Sequence, residues 1–189
     1  MTKNNSGKNG PPLVRKTFLI PRASELVAKN ELAKLIGHAP EQWLEVVLKE
    51  VGDNAIDDAE EHGVAPVVEV VVDTEACTIM VADNGSGIDP KTVSALSDLN
   101  VRVSSRAAYI APSRGAQGNA WKTLIGMPYA LDPEHPGDVT IEARGVRHRL
   151  RIDADPVERI PRVVHERERS TVKKGTHVTM RWPERAHAR

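Results

Sequence analysis

The sequence predicts an α/β (α+β) fold: a two-layer sandwich in which a mixed, mostly antiparallel sheet is covered on one face by helices. Three observations lead there. Apolar residues recur at helical spacing over 24–36, 40–63, 91–99 and 120–127. Runs rich in β-branched residues come in pairs joined by short turns, over 67–72 with 78–82 and over 139–143 with 146–152. The chain has 189 residues, enough for one domain with a real core and too few for two of ordinary size. A single domain over residues 13–185 is therefore expected.

Composition narrows the function classes. Lys plus Arg equals Asp plus Glu at 26 each, so no general basic field argues for nucleic acid. The single cysteine, Cys77, cannot form an internal disulfide; it sits in an apolar, strand-like run and is expected as a small buried hydrophobe in a reducing, cytoplasmic setting. Residues 1–12 are polar and rich in Asn, Gly and Lys, which predicts a disordered tail without the apolar stretch of a signal peptide. No segment approaches the length of a membrane span. The seven histidines, at 38, 62, 135, 148, 165, 177 and 187, lack paired ligand spacing and predict no zinc site. Aromatic residues are 3 %, so Val, Ala, Leu and Ile must fill the core.

In chain order, one helix is expected over 24–36, stopped by Gly37. The central helix opens at Pro40 and stops at Gly63. On it Leu44, Leu48, Val51, Ala55 and Ala59 form a core stripe, and Glu45, Lys49, Asp53 and Glu60 a solvent side. Glu50, Asn54 and Asp57 belong to neither; they continue the ridge of Trp43, Val46 and Val47, so an apolar ridge becomes polar within two turns. Two carboxylates and an amide in one line suit a magnesium ion and a water to be activated, because a hard cation prefers oxygen. The same pattern also suits an amphipathic helix with a polar shoulder.

The strands 67–72 and 78–82 form a hairpin, and the second runs into Asp83-Asn84-Gly85-Ser86-Gly87-Ile88. Two glycines there let the backbone approach a planar ligand, and an acid at a strand end can accept from an exocyclic amine such as that of adenine. An ordinary turn, with Asp89 capping and Pro90 opening a helix over 91–99, reads as well. Residues 100–114 carry serines and arginines without sustained periodicity, and Gly115-Ala116-Gln117-Gly118-Asn119 follows before a helix over 120–127. A glycine-rich loop at a helix start is an anion site, and a flexible stretch before it acts as a lid. No P-loop is present, since Lys122 lies inside the helix. The final third is a hairpin around Arg144-Gly145 whose Arg147, Arg149 and Arg151 alternate outward as a solvated face, a short strand over 163–165, and a closing strand over 175–183 with Thr176 near its start.

Taken together, Glu50 to Asp57, Asp83-Asn84-Gly85-Ser86-Gly87, Gly115-Ala116-Gln117-Gly118 and Gly175-Thr176 follow an order that resembles the Bergerat-fold (GHKL) ATPases, which include gyrase B, heat-shock chaperones, mismatch-repair ATPases and histidine kinases. Residues 49–63 look most like the B subunit of type IIB topoisomerase VI and its bacterial relatives. The resemblance covers about residues 38–183. It implies ATP and Mg2+ as ligands, Glu50 as the base that activates water, Asn54 as the magnesium ligand and Asp57 as a third polar residue of that helix. It implies Asp83 as reader of the adenine amine, with Gly85, Gly87 and Ile88 shaping that pocket. Gly115, Gln117, Gly118 and Asn119 become the phosphate loop closing the lid at 100–118, and Thr176 supports the adenine end.

The pattern also departs from that family. Gly52-Asp53 replaces an apolar pair, Asn119-Ala120-Trp121 replaces Ile-Gly-Ile, and the topoisomerase's transducer lysine has no counterpart before the chain stops past Pro183. The resemblance therefore implies slow hydrolysis coupled to lid closure and to a homodimer or partner subunit, with DNA touched only through a larger assembly. A nucleotide-gated module of a DNA-processing complex without turnover, and a histidine-kinase-type phosphotransfer domain, are the alternatives.

Overall fold

The computed structural model describes residues 22–99, 110–111, 115–116, 120–154 and 161–183. The expectations for the tail 1–12, for most of the lid 100–118 and for Gln117, Gly118 and Asn119 lie outside these residues. Helices α1 (Arg22–Glu25) and α2 (Lys29–Ile36) are followed by a 3-10 turn at Pro40–Gln42 and the long helix α3 (Trp43–Glu61). Strands β1 (Val68–Asp73) and β2 (Thr78–Asp83) come next, then α4 (Pro90–Leu96), β3 (Ile110–Ala111), β4 (Gly115–Ala116) and α5 (Ala120–Leu131). Four strands close the chain: β5 (Gly137–Ala143), β6 (Val146–Ala154), β7 (Pro161–Arg169) and β8 (Thr176–Arg181).

The main sheet has six strands in the order β1-β2-β8-β5-β6-β7, and β3 pairs with β4 in a separate two-stranded ladder. Every pairing is antiparallel, so the parallel component of the expected mixed sheet does not occur among the described residues. The hairpin between β5 and β6 turns through Arg144 and Gly145 at φ 51 and 79, the left-handed pair that a two-residue connection needs. The long return to β8 inserts it between β2 and β5, which sets Thr176 beside the end of β2.

Alternation assigns the two faces. Ile79 and Val81, Val139 and Ile141, Leu150 and Ile152, and Val178 and Met180 point inward and are buried against the helices. From the helix layer, Trp43, Val47 and Val51 of α3 meet Leu124, Ile125 and Met127 of α5 in the same core. Each such buried side chain contributes about 1.5–3 kcal/mol before chain entropy is subtracted. The outer face is charged, as expected: Arg147 lies 2.9 Å from Glu142 and 3.0 Å from Glu168, and Arg149 lies 2.6 Å from Asp138. These exposed pairs are screened by salt, and they engage the arginines within the sheet.

Several expectations need correction. The helix expected over 24–36 is broken between α1 and α2, where Leu26 is buried and its carbonyl abuts Gly126 of α5. A Cβ on Gly126 would come within 2.0 Å of that oxygen, so close packing of two backbones takes the place of a continuous helix. On α3 the deepest ridge is Trp43, Val47, Val51, Ala55 and Ala59, while Leu44 and Leu48 are half-buried shoulders. The apolar face is wide enough to hold both sets, and the bulky indole takes the deeper place. The helix over 120–127 runs on through Pro128 to Leu131, because the burial of Tyr129 and Ala130 offsets the one bond the proline removes. The helix over 91–99 starts at Pro90 and ends at Leu96. The short strand expected over 163–165 extends to nine residues, since cross-strand charge pairs on β6 hold the polar end that hydrophobicity could not reveal. Cys77 sits in the turn before β2 at φ 51, half-buried, and is not part of the strand. No described helix is long and apolar enough to cross a membrane.

Candidate functional site

The end of β2 delivers Asp83 to a place where three segments converge. Its Oδ1 accepts from the backbone N–H of Gly85 at 2.8 Å and from that of Thr176 at 3.1 Å. Burial pushes the Asp83 carboxyl above its ordinary range, and those two backbone donors pull it back only in part. Its other oxygen has no hydrogen bond among the described residues. A half-buried carboxylate with one oxygen committed and one available is a directed acceptor.

Glycine is required around it for steric reasons. Gly175 has φ 73, and a Cβ there would stand 1.8 Å from the carbonyl oxygen of Asp83. Gly87 has φ 83, and its Cβ would stand 2.8 Å from the Gly175 oxygen. The Gly175 N–H donates to Gly85 O at 2.9 Å, and the Ile88 N–H donates to Thr176 Oγ1 at 3.1 Å. The sequence-predicted Asp83, Gly85, Gly87, Ile88 and Thr176 are therefore brought together in one hydrogen-bonded turn. Asp89 closes it by capping α4 through Lys91 N at 2.7 Å.

Helix α3 is fastened to this turn by a residue that sequence reasoning passed over. Asp58 accepts from the Ser86 N–H and, at 2.9 Å, from the Ser86 hydroxyl. A Cβ on Gly85 would fall 2.0 Å from Asp58 Oδ2, so the glycine makes room for that carboxylate. One turn earlier, Asn54 donates its amide N–H to Glu50 O at 2.7 Å, which leaves its carbonyl oxygen as the atom to offer a ligand. The Glu50 carboxylate is one-third exposed, at 33 %, with Lys49 Nζ 3.8 Å away. Asp57 was expected on a polar shoulder, but it is buried at 5 % exposure. Among the described residues no three His, Cys, Asp or Glu side chains could hold a metal by themselves.

Three further residues were missed. Arg144, in the β5–β6 turn, donates to Ser86 O at 3.3 Å and to Asp89 at 3.2 Å, so the far hairpin braces the turn. Gly175 was read only as part of a pair with Thr176, although its backbone is what allows β8 to approach Asp83. Lys122 is buried in the first turns of α5 and donates to the carbonyl of Asp98. A glycine beside a predicted ligand-supporting threonine was the only advance signal for Gly175. For Asp58 and Arg144 there was none, because both act over distances in sequence that no local pattern encodes. Of the expected phosphate loop, Gly115 is described, in β4 opposite Ala111.

Compared with known families, residues 39–186 match the family described as histidine kinase-, DNA gyrase B-, and HSP90-like ATPase. The matched span holds α3, the whole main sheet and every residue of the candidate site. None of the curated proteins compared with the chain matches it.

Proposed function

The chain belongs to the histidine kinase-, DNA gyrase B-, and HSP90-like ATPases, and from that premise we propose that it binds ATP with magnesium and hydrolyses it. Asp83 accepts the adenine amine on its available oxygen, in the pocket that Gly85, Gly87, Ile88 and Thr176 shape. Asn54 would supply the protein's oxygen ligand to the cation, a hard ion that prefers oxygen. Bound magnesium would offset phosphate charge. Glu50 takes the proton of the attacking water, a role suited to a carboxylate that is partly exposed on the same helix face. Asp57 supports that face from within, and Gly115, Gln117, Gly118 and Asn119 wrap the phosphates.

The fit rests on one observation above the others: the Asp83 carboxylate, desolvated and with a single oxygen saturated by backbone donors, asks for one more donor where a planar ligand can approach. The Asn54 carbonyl oxygen, left over after its amide is bonded to its own helix, supports the metal end in the same way. Within the family we place the domain nearest the topoisomerase VI B type on residues 49–63. In this reading nucleotide closes residues 100–118 as a lid and favours a dimer or a partner subunit, with DNA reached only through a larger assembly. The single free cysteine fits a reducing, cytoplasmic setting.

Titrating ATP with and without magnesium, while following phosphate release and molecular size, tests the proposal. Wild-type protein should bind ATP in a magnesium-dependent way and release phosphate, and Glu50→Ala should bind with similar affinity and release none. Glu50→Ala turning over at the wild-type rate removes Glu50 as the base. Binding by wild type without phosphate release selects the nucleotide-gated module instead.

A further inference from the structure

The two edges of the six-stranded sheet are built from opposite chemistry. β7, at one edge, begins with Pro161 and carries Arg162, Glu166, Arg167, Glu168 and Arg169, a proline and charges of the kind that keep an edge from pairing. β1, at the other, reads Val-Glu-Val-Val-Val-Asp and has no described strand on its outer side. Val70, Val71 and Val72 are 46 %, 41 % and 42 % exposed. Val70 and Val72 lie opposite Val81 and Ile79, which are buried, so they stand on the helix-covered face of the sheet and yet remain open to solvent. The backbone shows which polar groups are free. The Val67 N–H donates to Asn84 Oδ1 at 3.0 Å, on the β2 side of the strand. N–H and C=O groups alternate in direction along an extended strand, so those of Val68, Val70 and Val72 turn outward to the edge.

We propose that β1 pairs antiparallel with β1 of a second copy of this chain, about a twofold axis at Val70, joining the two sheets into one. The pairing uses a surface that the ATP reading does not, and it forms without nucleotide. In this register Val70 meets its own copy and Val68 meets Val72, so the residues with outward backbone groups oppose one another and exchange both their bonds. The same pairs set valine on valine across the seam and continue the apolar face. On the other face Glu69 meets Val71, and Asp73 meets Val67. Moving the axis to Val71 would set Glu69 against Asp73, and moving it to Glu69 would set that carboxylate against its copy. Both bring like charges directly opposite, which destabilises a strand pair. A strand that escapes such pairs when laid on itself at Val70 suits the self-complementary contact of a twofold dimer.

Sedimentation of wild type, Val70→Lys and Val70→Cys over a range of concentrations, without nucleotide, tests the pairing. Wild type should dimerise. Val70→Lys, which sets two ammonium groups on the axis, should raise the dimer dissociation constant about tenfold or more. Val70→Cys should oxidise to a covalent dimer, since an opposed hydrogen-bonded pair has Cα atoms about 5.5 Å apart, within disulfide reach. Val71→Cys, off the axis, should cross-link no more than wild type does through Cys77. The cross-link decides the matter by itself where Val70→Lys fails to fold. Wild type that stays monomeric at every concentration, its edge bare or covered by another part of the same chain, overturns the proposal. A dimer that withstands Val70→Lys and gives no Val70→Cys cross-link is held by another face and overturns it too. Either failure leaves the reading of the ATP site standing.

Discussion

The two ends of the candidate site are built on opposite plans. At the Asp83 end a local turn is locked by bonds from a remote part of the chain: Thr176 bonds Asp83 from 93 residues away and Ile88 from 88. At the Glu50 end the bonds are local. Asn54 reaches four residues back along its own helix, and Lys49 pairs with Asp53 four residues on. An acceptor that must select one purine edge gains from being fixed before the ligand arrives, since no ordering entropy is then lost on binding. Groups that ligate a cation brought in with the phosphates can stay adaptable until it arrives.

That contrast predicts the heaviest damage where remote contacts interlock. Gly175→Ala combines a left-handed backbone with a Cβ 1.8 Å from the Asp83 carbonyl, so β8 must pull away from β2. The expected loss is on the order of 4 kcal/mol, which a denaturant titration would measure. A loss near that of an ordinary surface substitution would mean that the turn adapts and the two ends are less different than they look.

Asp83→Asn sharpens the comparison without breaking the turn, because its Oδ1 can still accept from Gly85 and Thr176. The other atom becomes a donor facing the adenine amine, which should weaken ATP binding by about 2–3 kcal/mol in calorimetry. The pH dependence has a definite sign. Burial raises the Asp83 pKa, so the folded carboxyl holds its proton at pH values where an ordinary carboxylate has lost it. ATP affinity should therefore fall as pH drops through that raised value, with protons released on binding in the same window. Asp83→Asn should abolish both effects. In the unliganded protein the sign reverses: stability declines as pH rises through the window, because the folded state is the better proton holder.

Acid acts in the other direction on the sheet beyond the site. His148 is buried with its Nδ1 2.9 Å from His165 Nε2 and its Nε2 without a hydrogen-bond partner among the described residues. Burial lowers the pKa of both, and for His148 the neighbouring His165 and then Arg167 lower it further. The unfolded chain takes up these protons first, so the pair's contribution is complete above the usual imidazole pKa of about 6.5 and is lost as pH falls below it. His148→Leu should flatten the acid limb of a melting-temperature profile, and an unchanged slope would place the acid sensitivity elsewhere.

The smallest effect belongs to the adaptable end. Nothing lies within 4 Å of a Cβ placed on Gly52, in the middle of α3. Gly52→Ala should stabilise the helix by about 0.5–1 kcal/mol in a thermal melt, because alanine loses less backbone freedom on folding. A loss instead would show that the flexibility of α3 at the Glu50 end supports the fold.

Local chemistry was legible in the sequence where the code is local. Strand pairs with their turns, Asp89 as a helix cap, and glycines where the backbone must pack closely all follow from residue type and spacing. The same local logic failed at Cys77, whose apolar neighbours suggested a strand although it turns the chain, and at residues 166–169, whose charges hid a strand. In both, partners on other segments outweighed the intrinsic preference of the residues.

By itself the sequence determined which residues can do chemistry: a carboxylate and an amide in line on one helix, an acid at a strand end, and glycines and a threonine far downstream. Only the tertiary structure decided that the acid, the glycines and the threonine meet, and it did so by inserting β8 between β2 and β5. That insertion brings Thr176 and Gly175 onto Asp83, while Asp58 from α3 and Arg144 from the β5–β6 turn fasten the same loop at Ser86, neither with a local signature. The reason is physical: spacing along a chain fixes which face a side chain shares with its near neighbours, whereas contact between residues some 90 positions apart depends on how the whole sheet buries its apolar surface.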